Sequence, residues 1–335
     1  MAFEKVTVPG DFLDNSARYA GRETAAAVRR AIPEGARIGY WAASDGWKLR
    51  RFDWRAAHPR GRLLFQTGRG DVFEKYLETF AHLHADGWSV TAFDWRGQGG
   101  SGRLSADPHV GHIDDYGVYD ADLAAFWEAW CAEGAGPRIV LGHSMGGMMV
   151  VRALVAGSID PDAAILVAPM IGLKSPIPAA IAARIARWIA ARGDPMRAAW
   201  RGNERPGAIA SRRSLLTHDA ERYADERWWQ DRHPELVLGP PSWAWLAEGF
   251  AGAAALAADP RLESIETPVL MLIADADKLV DPRAALKLGA RLPDAQIVRF
   301  GSESAHEILR EADGVRDRAL GAIDSFLAAV VPARP

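Results

Sequence analysis

Short apolar runs alternate with helical patterns along most of this 335-residue chain. Residues 38–41 and 48–54 read as two strands joined by the turn Ser44-Asp45-Gly46, and 62–66 reads as a third. Over 73–85 the apolar positions Phe73, Tyr76, Leu77, Phe80 and Leu83 recur at helical spacing. Further strands are predicted at 89–94, 138–142, 164–167, 269–274 and 296–300. Helices are predicted over 123–131, from about 148, over 282–292 and over 315–331. Such alternation predicts an α/β protein whose mostly parallel sheet is covered by helices on both faces.

Two regions depart from the alternation. Residues 1–36 are polar and alanine-rich and read as an N-terminal arm. Residues 170–258 are helical and carry Trp188, Trp200, Trp228, Trp229, Trp243 and Trp245. An inserted helical cap over the carboxyl edge of the sheet is the natural reading, because open α/β sheets bind ligands at that edge. The core then comprises 37–169 and 259–335. The first cap segment holds an apolar stripe, Ile177, Ile181, Ile185, Trp188 and Ile189, with Arg184, Arg187 and Arg192 beside it. Packing of this stripe on the core is the simpler expectation; lining a substrate entrance or touching lipid is the alternative.

The chemistry centres on Gly142-His143-Ser144-Met145-Gly146. An apolar run precedes it and a helical run follows, which is the setting of a nucleophile elbow. A serine hydroxyl needs an imidazole to take its proton and a carboxylate to orient that imidazole. With such an elbow the chain order is Ser, then Asp or Glu, then His. Of the histidines beyond Ser144, His218 and His233 fall in the cap, while His306 follows the last predicted strand and is the expected base. The acid is expected after the 269–274 strand. Position alone does not separate Asp275 from Asp277; spacing favours Asp277. Asp281, before Pro282, reads as a helix N-cap. The N–H groups of Met145 and of Arg69, in the glycine-rich turn 67–71, are the expected oxyanion donors. Substrate contacts are expected from His143 under the elbow and from Ile181, Trp188 and Trp245 of the cap.

Composition narrows the partners. Basic and acidic residues number 40 and 43, interspersed, so no basic face invites nucleic acid. One cysteine, Cys131, leaves no internal disulfide framework and fits a reducing, cytoplasmic setting. The first 15 residues contain acidic side chains and no apolar segment, so no signal peptide is expected. No apolar run is long enough for a membrane span, although peripheral lipid contact stays open. Residues 94–99 lack the G-x-G-x-x-G dinucleotide fingerprint, and no histidine–carboxylate spacing suggests a metal. Neither cofactor nor metal is expected.

The motifs together resemble those of the α/β-hydrolase superfamily, and within it the bacterial lysophospholipase and monoacylglycerol lipase group of serine hydrolases. The carriers run from about Arg37 onward: Gly68-Arg69-Gly70-Asp71 with Glu74-Lys75-Tyr76, Asp94-Trp95-Arg96-Gly97-Gln98-Gly99, the Ser144 elbow, Leu216-Thr217-His218-Asp219 with Arg222-Tyr223, Ala274-Asp275-Ala276-Asp277, and His306-Glu307-Ile308-Leu309. The group has His-Gly where this chain has Thr67-Gly68, and Gly where it has Ala274. The resemblance implies the α/β-hydrolase fold, Asp277 as the triad acid and a cap that holds the acyl group. It implies hydrolysis of carboxylic esters with an apolar acyl group, as in a lysophospholipase-like carboxylesterase acting on a small ester or lipid. Thioesterase, amidase or other acyl-hydrolase activity would use the same triad, and a non-turnover sensor would retain it.

Overall fold

The computed structural model describes residues 22–200 and 209–331. Among these, eight strands form one sheet in the order β1-β2-β4-β3-β5-β6-β7-β8. They are β1 (Arg37–Ala42), β2 (Lys48–Trp54), β3 (Gly61–Gln66), β4 (Trp88–Phe93), β5 (Arg138–His143), β6 (Ala163–Val167), β7 (Val269–Ala274) and β8 (Ala295–Phe300). The β1–β2 and β2–β4 pairs are antiparallel and the others are parallel. Sequence explains the split. β6 and β7 are unbroken apolar runs, buried on both faces as inner parallel strands must be. β1 lies at an edge and leaves Ile38 and Tyr40 exposed.

Helices α1 (Arg22–Arg29), α2 (Leu77–Ala85), α3 (Gly117–Ala132), α4 (Met145–Ala156), α9 (Pro282–Gly289) and α10 (Asp313–Val330) accompany the strands. One face of the sheet packs against α3, α4 and α9 around Phe126, Met149, Leu166 and Met271. The other packs against α2 and α10 around Phe80, Leu141, Leu272 and Ile323. The helix predicted over 73–85 begins as a 3-10 turn, Phe73–Tyr76, before α2. α3 starts six residues earlier than its apolar pattern suggests: in its first turn only Tyr119 is buried, while Gly117 and Val118 are exposed. The expected arm, 1–36, contains α1; residues 1–21 of that expectation lie outside the described residues.

Between β6 and β7 the described chain forms α5 (Ala179–Arg192), α6 (Ile209–Leu216), α7 (Ala220–Arg232) and α8 (Trp243–Ala258). The apolar stripe of α5 does not pack on the core as expected. Its alanines face α8 instead: Ala182, Ala183 and Ala186 pack against Leu246, Ala247 and Phe250 in a small cluster apart from the core. Small side chains let the two backbones approach, so Ile181, Ile185 and Trp188 are turned outward, while Ile189 is half-buried. Among the described residues no helix is long and apolar enough to cross a membrane.

Strand register aligns the carboxyl ends. Gln66 faces Gly142, Val167 faces both His143 and Leu272, and Ala274 faces Phe300. The segments leaving β3, β5, β7 and β8 therefore emerge along one rim. α7 is tied to this body through buried charge. Arg222 binds Glu78 of α2 at 2.8 and 3.0 Å, Asp313 of α10 at 2.7 Å and the Glu311 carbonyl at 2.8 Å. Replacing one partner of a buried pair strands the other. Arg222→Met is expected to lower unfolding free energy by about 3 kcal/mol, read as a lower urea midpoint with an unchanged slope.

Candidate active site

β5 passes into α4 through a single residue, Ser144, at φ 51° and ψ −116°. A positive φ at a residue with a Cβ costs on the order of 1–3 kcal/mol. Three backbone bonds hold it: Ser144 N–H donates to Val167 O at 3.0 Å, and Ser144 O accepts from Met148 N–H at 3.1 Å and Met170 N–H at 2.9 Å. The flanking glycines permit the turn. A Cβ on Gly142 would lie 2.7 Å from Gly146 backbone atoms, and one on Gly146 would collide with the carbonyls of Gln66 and Thr67. Met145 is the first residue of α4, so its N–H has no carbonyl one turn back within the helix.

His306 Nε2 lies 2.8 Å from Ser144 Oγ, and His306 Nδ1 lies 2.6 Å from Asp277 Oδ2. The other oxygen of Asp277 accepts from the N–H groups of Leu279 and Val280 at 2.7 and 3.0 Å. Asp275 points elsewhere, to Arg299 at 3.0 Å, and Asp281 caps α9 through Arg283 N–H. His218 and His233 pair with Glu311 and Glu235, away from Ser144. Burial opposes charge on both members of the His306–Asp277 pair. Their attraction outweighs it, holding Asp277 below the usual carboxylate range and raising His306 above an ordinary imidazole.

The histidine loop is held largely from the inserted segment. Glu307 N–H donates to Leu216 O at 2.8 Å, and Thr217 Oγ1 donates to Arg310 O at 2.8 Å. Ala305 N–H donates to the buried Glu311 carboxylate at 2.7 Å, which also accepts from His218 N–H at 3.0 Å. The Leu216-Thr217-His218-Asp219 motif thus has a physical task that its spacing did not disclose.

On the opposite side stands the turn 67–71. Gly68 N–H donates to Asp71 Oδ2 at 3.2 Å, Gly70 N–H to Gln98 Oε1 at 2.7 Å, and Trp95 Nε1 to Thr67 O at 2.8 Å. The Asp94–Gly99 motif therefore braces this turn. Arg69 itself reaches sideways: its guanidinium donates to Gly239 O at 2.9 Å and lies over the Trp245 ring. Sequence reasoning assigned no role to Asp71, Lys75, Glu226, Glu307 and Arg310, which form a buried charge cluster beneath the site. Lys75 bonds Asp71 and Glu307, the latter at 2.6 Å; Glu226 of α7 lies 3.4 Å from both Lys75 and Arg310. Asp71 Oδ2 also accepts from the Tyr76 hydroxyl at 2.8 Å and lies 3.0 Å from His143 Nδ1. Against the penalty of burial, Lys75 and His143 hold the Asp71 carboxyl well below its usual range.

Ser144 and His306 open into a cavity of about 550 Å³ between the sheet rim and the inserted helices, lined by Leu173, Ile185, Trp200, Trp243, Trp245 and Phe250 among others. That volume is typical of a small-ligand site. Of the residues from which substrate contacts are expected, His143 and Trp245, both buried, line it. Ile181 and Trp188 do not. They are 50% and 57% exposed, on the outer face of α5, because the alanine face took the inward position. Ile177 and Ile185 of the same stripe reach the cavity instead. Among the described residues no group of three or more His, Cys, Asp or Glu side chains is placed to hold a metal ion.

Comparison with known proteins places the fold and the family. Residues 57–313 match the Hydrolase_4 family model, described as serine aminopeptidase, S33. The chain is 33% identical over 291 residues to lysophospholipase L2 of Escherichia coli K12, covering 84% of each protein. It is 28% identical over 229 residues to a probable lysophospholipase L2 of Haemophilus influenzae, covering 66% of this chain and 69% of that protein. Its fold matches a soluble variant of monoglyceride lipase from Saccharomyces cerevisiae, with a TM-score of 0.69 at 20% identity over 90% of this chain and 98% of that one. It also matches Paleococcus ferrophilus monoacylglycerol lipase, with a TM-score of 0.66 at 20% identity over 84% of this chain and 98% of that one. With a family match spanning most of its length and the eight-stranded fold of those lipases, this chain belongs to the serine aminopeptidase S33 (Hydrolase_4) family of α/β-hydrolases.

Proposed function

We propose that this protein is a serine esterase for carboxylic esters with an apolar acyl chain, with lysophospholipids and monoacylglycerols as its substrate class. The observation that carries the reading is the row Ser144 Oγ, His306 Nε2, His306 Nδ1, Asp277 Oδ2, with links of 2.8 and 2.6 Å, opening into an apolar cavity. Ser144 Oγ attacks the ester carbonyl carbon while His306 Nε2 takes its proton. The oxyanion is met by the N–H groups of Met145, at the start of α4, and Arg69. His306 returns the proton to the departing alcohol, leaving an acyl-enzyme. Water then attacks, with His306 again as base, and the fatty acid leaves. Asp277 holds the imidazole in the working tautomer and stabilises its charged form. No cofactor enters these steps. Residues 170–258 act as a cap that covers the acyl chain. A cytoplasmic location suits the free thiol of Cys131.

Peptide-end cleavage, which the family description names, is the weaker reading. It needs a cavity carboxylate open to a substrate ammonium. Asp71 and Glu307, two carboxylates of the cavity wall, are already bound to Lys75.

Four outcomes test the proposal. Ser144→Ala is expected to lose fluorophosphonate labelling and to drop kcat by at least about 10³-fold; turnover at the wild-type rate would sink the esterase. With p-nitrophenyl esters of increasing acyl length, kcat/KM is expected to climb by up to roughly 4-fold per methylene until the cavity is full, since each buried methylene contributes about 0.8 kcal/mol. The base must be neutral, so kcat/KM rises with pH through the His306 pKa, with a midpoint above the ordinary 6.5. Asp277→Asn removes the charge that raises this pKa. It is expected to move the midpoint to lower pH and to cut kcat by about 10⁴-fold.

A further inference from the structure

We propose that Lys75 is a positioning residue for the Ser144–His306 pair: its buried ammonium ties the turn 67–71 to the histidine loop and, through Glu226, ties both to α7. The tie is independent of substrate; only its effect on ester turnover rests on the esterase reading.

Lys75 sits in the 3-10 turn ahead of α2, with its side chain 1% exposed. Lysine is rarely so buried, because the ammonium gives up its water and needs carboxylates in return. Three supply them, each from a different segment. Asp71 ends the turn after β3 and bonds Nζ directly, Glu307 follows His306 and lies at 2.6 Å, and Glu226 stands on α7 at 3.4 Å. A compact ammonium with three donors suits acceptors arriving from three directions, where a planar guanidinium would not. Arg310 pairs with Glu307 and Glu226, and Arg212 lies 2.8 Å from Glu226. Among the described residues these two arginines and Lys75 match the three carboxylates charge for charge.

Both ends of the tie reach the reacting groups. Asp71 accepts from Gly68 N–H at 3.2 Å, and a Cβ on Gly68 would lie 3.1 Å from Ser144 Cβ. The turn therefore packs closely against the nucleophile, and Arg69, whose N–H is the proposed oxyanion donor, is the next residue. Glu307 is one peptide from His306. A shift of either segment alone would part the imidazole from the hydroxyl and the oxyanion donor; with Lys75 between them they keep register.

The charge of Lys75 matters as well as its reach. Asp71 and Glu307 lie on the cavity wall, where unneutralised carboxylates would oppose the negative charge developing on the carbonyl oxygen. Around His306 stand Ser144, Asp277, His143, Asp71 and Glu307, with Lys75 and Arg310 bound to the last. Burial opposes the charged imidazole, while Asp277, Glu307 and Asp71 favour it. Without the Lys75 charge that preference strengthens, so the imidazole becomes neutral only at higher pH.

The test is the pH-dependent rate of fluorophosphonate labelling at Ser144, which reads the hydroxyl–imidazole pair whatever the substrate, alongside hydrolysis of a short p-nitrophenyl ester. Rates are taken per folded molecule, counted by near-ultraviolet circular dichroism. In Lys75→Met, labelling and kcat are expected to fall about 10²-fold with KM within about two-fold. The pH midpoint is expected to rise by about one pH unit. Lys75→Met combined with Glu226→Gln restores the charge balance but not the tie, so the midpoint should return to the wild-type value while the rates stay low. Should the single variant not fold, the balanced double variant carries the rate test. A purely structural lysine would lower the urea midpoint and leave the labelling rate and pH midpoint of folded molecules unchanged. That result would overturn the proposal, as would an unmoved midpoint in Lys75→Met or failure of both variants to fold. A wild-type protein that labels but hydrolyses no ester would sink the esterase and leave the labelling test of Lys75 standing.

Discussion

The backbone of the loop carrying His306 is the constraint on which the site depends. Its imidazole has to stand within hydrogen-bond reach of a hydroxyl leaving β5 and a carboxylate leaving β7. Nothing in β8 alone would keep it there. The bonds that do so come from outside the sheet, through Leu216, Thr217 and the buried Glu311 carboxylate. A short loop with its amides and carbonyls spent in this way has little freedom to swing. The helices between β6 and β7 consequently do more than cover the cavity: they hold part of its chemistry in register.

Beneath the site, charge performs a related task. Lys75 joins Asp71, on the turn beside Ser144, to Glu307, the residue after His306, and Glu226 of α7 closes the cluster. Burying so many charges is costly, and hydrophobic replacements are often as stable. What an apolar cluster lacks is direction. Asp71 accepts from Gly68 N–H, the Tyr76 hydroxyl and Lys75 at once, and so helps to set the path of a turn whose two glycines have no side chain to anchor them. Strain is added where it is useful. The positive φ of Ser144 is tolerated because Val167 of β6, Met148 of α4 and Met170 hold its backbone with three hydrogen bonds.

Helix α5 shows how packing, rather than hydrophobicity, selects a face. Hydrophobic periodicity alone would put the isoleucines and Trp188 inward. Backbone approach to α8 favours alanine, which loses little side-chain entropy on burial and leaves room for Phe250 and Leu246. The larger residues are left at the surface, where two of them border the cavity mouth.

Periodicity in the sequence was enough for the strands, the order of α/β alternation and the elbow at Ser144, because those follow from local hydrogen bonding and from which residues avoid water. The order Ser, Asp, His could also be read along the chain. Direction was not readable. Asp275 and Asp277 are two residues apart at the end of one strand, and only the turn through Leu279 and Val280 aims Asp277 at His306 while Asp275 meets Arg299. Nor could the chain alone reveal that Asp71, Lys75, Glu226, Glu307 and Arg310 converge, since their separations reach beyond two hundred residues. The inward face of α5 was hidden for the same reason. A side chain's neighbours across the fold are set by close packing and by pairing of buried charge, and those exist only once distant segments have met.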